Sequence, residues 1–494
     1  MLATLDALER VSDEALVRLR ERIVATGHGP AVYDVTEAIA PHLFHALRLP
    51  LIRLALRRLR GPEWTLARLF VYDDVVSPFE WDLAAGPEWG PLGMECGLVR
   101  RDADGIRGNF HLVQTSGVWV FSDTSVTEAD AVMGPGPTTL ILERILPKEF
   151  PLEDGRQVRV LDLGSGAGTL SLVAAARGAA VVATDLNPRS LRFTALNARF
   201  NRLTLDLRAG DLTAPVRGEQ FDLVLSQPPF VVRPAGTEHS LYMHGGARGD
   251  ELALRLLQEL PEVLAPDGQA AVLFDTPRLA RRSLDHELRT LFSEVAVDRV
   301  LLQGPGIPSD YLSVGYAYEM TGTFGREFER TLEVYREHVE GLGAAHFDRA
   351  LVLLRARPDA DQYLAVELAV RQYPTAEALR SLWRAWDAST LDDERFGRLS
   401  LQLPTSARWV ETRPKPVLES DPTCRLTFVG AAFQHELELP FSALLVYSAL
   451  EKSETVEAAI DAYAGEIDST RDEVRSEVLG FLRDSLRRGA LEVR

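Results

Sequence analysis

The residues best suited to chemistry stand in three short stretches: Gly164-Ser165-Gly166-Ala167-Gly168, Asp185-Leu186-Asn187 and Ser226-Gln227-Pro228-Pro229-Phe230. Gly164, Gly166 and Gly168 make a turn in which a ligand can reach backbone that bulkier side chains would shield. An acid at the carboxyl end of a strand, as Asp185 is, commonly accepts hydrogen bonds from the hydroxyls of a ribose. Two prolines after Gln227 rigidify its loop and fix where its side chain and the backbone carbonyls point. A planar NH2 group could donate to both kinds of carbonyl there, while Phe230 offers an apolar face to a planar or cationic group. An amide cannot act as a base at neutral pH, so Gln227 can position a nucleophile but not deprotonate it. Each stretch alone also has a plain reading, Asp185 as a turn acid and Pro-Pro-Phe as a strand-ending turn.

The elements that must carry these residues are legible around them. Val160–Leu163 is a short apolar strand, Thr169–Arg177 a small-residue helix with Gly178 as its stop, and Ala180–Thr184 the next strand. Leu205–Ala209 precedes Asp211-Leu212, and Phe221–Leu225 runs into Gln227. Further on, Glu251–Leu264 and Leu284–Phe292 read as helices and Gly268–Phe274 as a strand. Val295–Leu301 and Leu312–Tyr318 read as a closing antiparallel hairpin. Alternation of this kind over residues 156–320 predicts an α/β fold with a parallel, doubly wound sheet, whose ligands sit at the carboxyl ends of its strands. The glycine spacing is G-x-G-x-G and not the dinucleotide G-x-G-x-x-G. Taken alone, the first half leaves nicotinamide enzymes and methyltransferases both open. The Gln-Pro-Pro-Phe stretch after the fourth strand separates them.

This ordered set resembles a class I S-adenosylmethionine (SAM) methyltransferase of the kind that carries an Asn-, Asp- or Ser-Pro-Pro-Tyr/Phe motif after strand four. Protein-glutamine and nucleic-acid amino methyltransferases belong to that group. The resemblance covers roughly Met133 to Tyr318 and implies a Rossmann-like sheet with SAM as cofactor. It implies cofactor contacts from Asp162, Gly164, Ser165, Gly166, Gly168, Asp185, Leu186, Asn187, Asp211, Leu212 and Gln227, with Asp185 on the ribose and Asp211-Leu212 at the adenine. Asp162 would orient the glycine loop or hold the positive end of SAM. In Met133-Gly134-Pro135-Gly136-Pro137-Thr138-Thr139 a helix start is expected, and the resemblance puts Thr138 or Thr139 near the methionine end of SAM. Gln227, Pro228, Pro229 and Phe230 form the catalytic loop. Here Gln replaces the usual Asn, Asp or Ser. It keeps the amide acceptor but adds a methylene, which leaves transfer to N, O or C open. No metal is implied.

Composition bounds the rest. The chain has 494 residues, room for about three domains of ~150 residues. Its two cysteines, Cys96 and Cys424, cannot make a disulfide framework, which points to a reducing, cytoplasmic setting. The charged, amphipathic N-terminus is not a signal peptide, and Leu49–Leu59 is too short and too arginine-rich to span a bilayer. A net charge of −18 disfavours a broad nucleic-acid surface. The expected organisation is a helical N-terminal domain with a small β element over residues 1–125, with strands at Leu69–Tyr72, Leu98–Arg101, Phe110–Gln114 and Val118–Phe121. The methyltransferase domain follows over 126–356, a connecting region over 357–423, and a winged-helix-like module over 424–494. That module is acidic, and its strand Arg425–Val429 could offer an edge to an added peptide strand. The glycine-rich stretch 242–250 reads as a mobile loop beside the substrate or as a plain connector. These readings favour methyl transfer to an amide or amine nitrogen of a peptide or protein. Alternatives are a nucleic-acid base amine, O- or N-methylation of a small molecule, a nicotinamide enzyme, or a non-catalytic scaffold.

Overall fold

The computed structural model describes residues 3–41, 43, 45–124, 127–151, 155–237, 240–358, 361–368, 373–412, 423–428 and 436–494. The chain divides into two compact units. The first comprises Met1–Glu143, Lys148–Val295 and Ile307–Phe347, and the second Arg144–Pro147, Ala296–Gly306 and Asp348–Arg494. Compactness therefore divides the chain differently from the expected boundaries. Residues 1–125 share a unit with the glycine loop, and residues 373–412 share one with the C-terminal helices.

In the first unit five parallel strands lie in the order Asp206–Ala209, Ala180–Asp185, Arg159–Leu163, Phe221–Ser226 and Leu264–Pro277. Strands covered on both faces read as apolar runs, and Val160–Leu163 is buried throughout. Leu163 pairs with Thr184 on one side and Ser226 on the other. That register brings the ends of three strands level, so the glycine loop, Asp185 and Gln227 emerge at one edge. Helices Thr169–Ala176 and Pro188–Asn201 follow the first two strands in sequence. Thr169–Ala174 is wholly buried.

The N-terminal residues are tied to helix Pro188–Asn201 by its polar face. Arg192 pairs with Asp6 and Glu9 at 2.6 Å each. Arg199 bonds Asp13 and the carbonyls of Glu9 and Val11. The carboxamides of Asn197 and Asn201 bond the backbone of Phe121 and Trp119 as a neighbouring strand would. Strands Val99–Asp102, Phe110–Thr115 and Val118–Asp123 match expected strands, and Gly105–Gly108, which is not among them, completes the first hairpin. Leu69–Tyr72 forms no strand. It ends the helix Pro62–Phe70, which starts with Pro at its first turn and buries every residue from Thr65 to Phe70.

The expected strand Leu312–Tyr318 is also helical. It lies within Ser309–Thr321, which continues through a short turn into helix Arg326–Leu342. The alternation Leu-Ser-Val-Gly-Tyr-Ala-Tyr imitates a strand, but only Ser313, Tyr316 and Ala317 are buried there, a helical interval. In the second unit the antiparallel partner of Val297–Gln303 is instead His346–Ala356, and Tyr363–Glu367 pairs with Val297–Gln303 in parallel. Asp298 and Arg355 form a buried ion pair at 2.7 Å between the antiparallel strands.

The rest of the second unit has one core. Ala385, Phe396 and Leu401 pack with Leu426, Val446, Tyr447, Ile460, Val478 and Leu482. Helix Ala376–Ser389, read as part of a connector, therefore shares this core with helices Phe441–Glu451, Val456–Glu466 and Arg471–Arg487. Strand Thr423–Phe428 is flanked on both sides, by Ala407–Thr412 and Glu436–Leu439, so it offers no edge to an added strand. Val429, the end of the expected strand, lies outside the described residues.

Candidate active site

The site is built where the three strands end. After Leu163 the chain turns through Gly164, Gly166 and Gly168, all with positive φ. The amides of Gly164 and Ser165 donate to the carbonyl of Thr184 at 2.9 and 3.0 Å, which ties the turn to the neighbouring strand. Gly168 does not line the cavity. A Cβ there would come within 2.6 Å of the Thr194 side chain, so its glycine serves the packing of helix on loop, not ligand approach. Thr194 Oγ1 donates to the Gly166 carbonyl at 3.1 Å and Asn197 Nδ2 to the Ala167 carbonyl at 2.9 Å. These two helix residues hold the loop from behind. A lone Thr or Asn on a helix carries no sequence signal for that task.

Two carboxylates stand at this edge. Asp162 is buried and accepts from the Ser171 amide at 3.0 Å and hydroxyl at 2.6 Å, so it clamps the first turn of the following helix to the strand. Burial pushes its carboxyl up to about 6, against those two bonds, and the negative charge of Asp185 adds to the rise. Asp185 accepts from the amides of Gly166 and Asn187 at 2.8 Å each, and burial raises its pKa as well. Asn187 caps helix Pro188–Asn201 and donates to the Asp130 carbonyl at 2.9 Å. Asp211 stands exposed at the rim, ion-paired with Arg255, and Leu212 follows it with a φ of 45°.

Gln227 leaves strand Phe221–Ser226 and meets the start of helix Pro137–Glu143. Its Nε2 donates to Thr138 Oγ1 at 2.8 Å, and its Oε1 accepts from Thr139 Oγ1 at 3.4 Å. Both threonines thus touch the same amide. Pro228 and Pro229 also line the cavity, but Phe230 does not. It packs against the buried cluster of Val231, Val232, Met243, Tyr316, Tyr335 and Val339, three of them on the helix pair 309–342. The aromatic face expected over the ligand supports the loop from outside the cavity instead.

One cavity of about 520 Å³ gathers Thr138, Thr139, Asp162, Gly164, Ser165, Gly166, Asp185, Leu186, Asn187, Asp211, Leu212, Gln227, Pro228 and Pro229. Tyr242 and His244, in the glycine-rich stretch 242–250, line it too, as does Arg255, which sequence reading did not single out. His244 Nδ1 accepts from the Ser240 amide at 3.1 Å, which leaves the proton on Nε2, 3.0 Å from the Tyr335 hydroxyl.

Residues 135–298 match the family model of the methyltransferase small domain. This segment is a class I methyltransferase domain. Curated relatives of the domain include the ribosomal protein uL3 glutamine methyltransferase of Bradyrhizobium diazoefficiens, 34% identical over 22% of this chain and 38% of its own length. The release factor glutamine methyltransferase of Deinococcus radiodurans is 36% identical over 28% of this chain and 54% of its own. That of Xylella fastidiosa is 34% identical over 35% and 64%. The chain thus spans less than two thirds of the length of these relatives. The cofactor of the methyltransferase domain is SAM, and the cavity fits it. Its volume is that of an ordinary small-molecule site. Ser165 Oγ is buried in its wall without a partner among the described residues, and the Asp185 carboxylate, held by the amides of Gly166 and Asn187, lines the same wall.

Proposed function

We propose that the chain transfers the methyl group of SAM to the side-chain amide nitrogen of a glutamine in a protein substrate. The observation that carries this reading is the Gln227 amide, fixed by Thr138 and Thr139 at the mouth of the same cavity that holds Asp185. The names of the relatives, glutamine methyltransferases of release factors and a ribosomal protein, support the acceptor class.

Bound SAM supplies an electrophilic methyl on a sulfonium. What the protein adds is position and a dry surface. With Nε2 held by Thr138 and one lone pair of Oε1 taken by Thr139, the second lone pair of Gln227 Oε1 would face an incoming NH2 group. A substrate amide that donates one hydrogen to this oxygen and one to a carbonyl of the Pro228-Pro229 segment would have its nitrogen held still in the line of attack. As the nitrogen–carbon bond forms, the carbon–sulfur bond breaks, and the nitrogen releases one proton to solvent. Gln227 takes no proton. The added methylene of Gln, relative to Asn, lets the amide reach the helix that carries the two threonines.

The targets named for the relatives, a ribosomal protein and release factors, support placing the reaction in the cytoplasm. Incubating the protein with isotope-labelled SAM and separate protein, peptide, RNA and small-molecule fractions of a cell extract tests the reading. Label on a glutamine side chain, located by mass spectrometry, is the expected result. Label confined to RNA or to small molecules would sink it.

A further inference from the structure

The glycine-rich stretch after Tyr242 is more than a bare connector. It lies against the back of the Pro-Pro-Phe turn. His244–Gly246 pairs in parallel with Val231–Val232. The Val231 amide donates to the Met243 carbonyl at 2.8 Å, and the Arg233 amide to the Gly246 carbonyl at 2.8 Å. Contact is so close that side chains are excluded. A Cβ on Gly245 would overlap the carbonyl oxygens of Pro229 and Gly249 and come within 2.9 Å of the Pro229 carbonyl carbon. A Cβ on Gly249, whose φ is +95°, would lie 2.5 Å from the Phe230 carbonyl oxygen.

The far end of the stretch is anchored. Asp250 is fully buried. It pairs with Arg282 at 2.7 Å and Arg248 at 3.0 Å and accepts from the Thr276 hydroxyl at 2.6 Å. Glu251 accepts from the amides of Arg248 and Gly249 at 2.9 and 3.1 Å. Burying an ion pair is costly unless its geometry and further hydrogen bonds are good, and here they are.

We propose that residues 243–250 are a brace that sets the position of the Pro229 and Phe230 carbonyls, with Gly245 and Gly249 as positioning residues and the Asp250–Arg282 pair as the anchor. This rests on the reading of Gln227-Pro228-Pro229 as the acceptor loop. Gly245 and Gly249 do not line the cavity. The brace acts by fixing backbone acceptors that the proline-rich turn, with few hydrogens to donate, cannot fix for itself.

The test uses the full-length protein, Gly245→Ala and Asp250→Asn, the latter keeping the Thr276 bond should the former fail to fold. Hydrogen exchange of the Val231 and Arg233 amides is read by mass spectrometry. SAM affinity is read by calorimetry, and turnover with labelled SAM on the protein fraction of a cell extract. Expected are exchange at least about tenfold faster, SAM affinity within about threefold, and turnover lower by about a hundredfold, the usual loss for a ~1 Å misplacement. Arg282→Lys, which keeps a cation at Asp250, should retain most of the turnover. Unchanged exchange in both variants overturns the brace, and faster exchange with undiminished turnover overturns its positioning role. If the wild-type protein labels no acceptor at all, the acceptor-loop reading fails first and leaves the brace nothing to position.

Discussion

At the scale of single residues, Asp185 and Asp162, two of the carboxylates that line the cavity, are asked to do different things. Asp185 meets the glycine-loop amide and lines the cavity where a ligand hydroxyl would reach it. Loss of a buried charge-assisted bond costs about 1.5–3 kcal/mol, so Asp185→Ala should weaken S-adenosylhomocysteine binding roughly ten- to hundredfold by calorimetry. Asp162 titrates near 6 in the folded protein, above the ordinary carboxylate range. Below that pH its neutral form dominates, and a cation bound beside it favours the ionised form. SAM binding should then release a proton, and its affinity should fall by up to about tenfold per pH unit as pH drops below 6. The homocysteine product carries no sulfonium, so its affinity should stay flat through the same window. Equal pH dependence for both ligands would remove Asp162 from the methyl end. Gln227 is expected to divide the two functions cleanly. Gln227→Ala should leave SAM affinity within a few fold while cutting turnover, and Thr138→Val should do the same more mildly, because it frees the amide without removing it.

At the scale of elements, helix Pro188–Asn201 joins three parts of the first unit. Its arginines hold the N-terminal residues, and Asn197 bonds the Phe121 backbone in hairpin Phe110–Thr115/Val118–Asp123 while holding the Ala167 carbonyl of the glycine loop. Asn197→Ala strands three buried backbone groups, each at about 1–3 kcal/mol. The melting temperature should fall by several degrees or more, and SAM affinity should fall with it because the loop loses its rear support. A variant with wild-type melting and weakened binding would show that the asparagine acts on the loop alone. The helix pair Ser309–Leu342 has a parallel role for the catalytic turn, since Tyr316 and Tyr335 pack around the Phe230 cluster and Tyr335 meets His244.

At the scale of the whole molecule, the second unit cannot be shortened at a convenient surface loop. Trp386 Nε1 donates to the Arg487 carbonyl at 2.9 Å, Arg483 bonds the Leu391 carbonyl at 2.7 Å, and Leu401–Gln402 pairs with Glu492–Val493. A chain ending near residue 422 would leave Ala385, Phe396 and Leu401 without their core. Such a truncation should expose residues 376–412 to rapid proteolysis, and any loss of substrate affinity in it would report unfolding, not recruitment. Protease resistance of that region in the truncated chain would show that it folds without the last three helices. The net charge of −18 acts at this scale too, and steers the molecule away from polyanions more than any single site does.

The sequence by itself determined the elements whose signals are local. Val160–Leu163, the glycine turn, Asp185 and Gln227-Pro228-Pro229 are each written in a handful of adjacent residues, and their order along the chain is enough to place them at one sheet edge. Only the tertiary structure could decide what meets across the fold. Thr138 and Thr139 reach Gln227 from 89 and 88 residues away, and the direction of Phe230 depends on two helices that come later in the chain. Leu312–Tyr318 carries a strand-like pattern yet forms a helix, while the apolar run Leu351–Leu354 supplies the antiparallel strand, because partner surfaces choose between two conformations that the local pattern leaves nearly equal. The division of the C-terminal region followed the same rule: Ala385 and Leu482 share one core, and Trp386 donates to the Arg487 carbonyl, through contacts that no spacing in the sequence encodes.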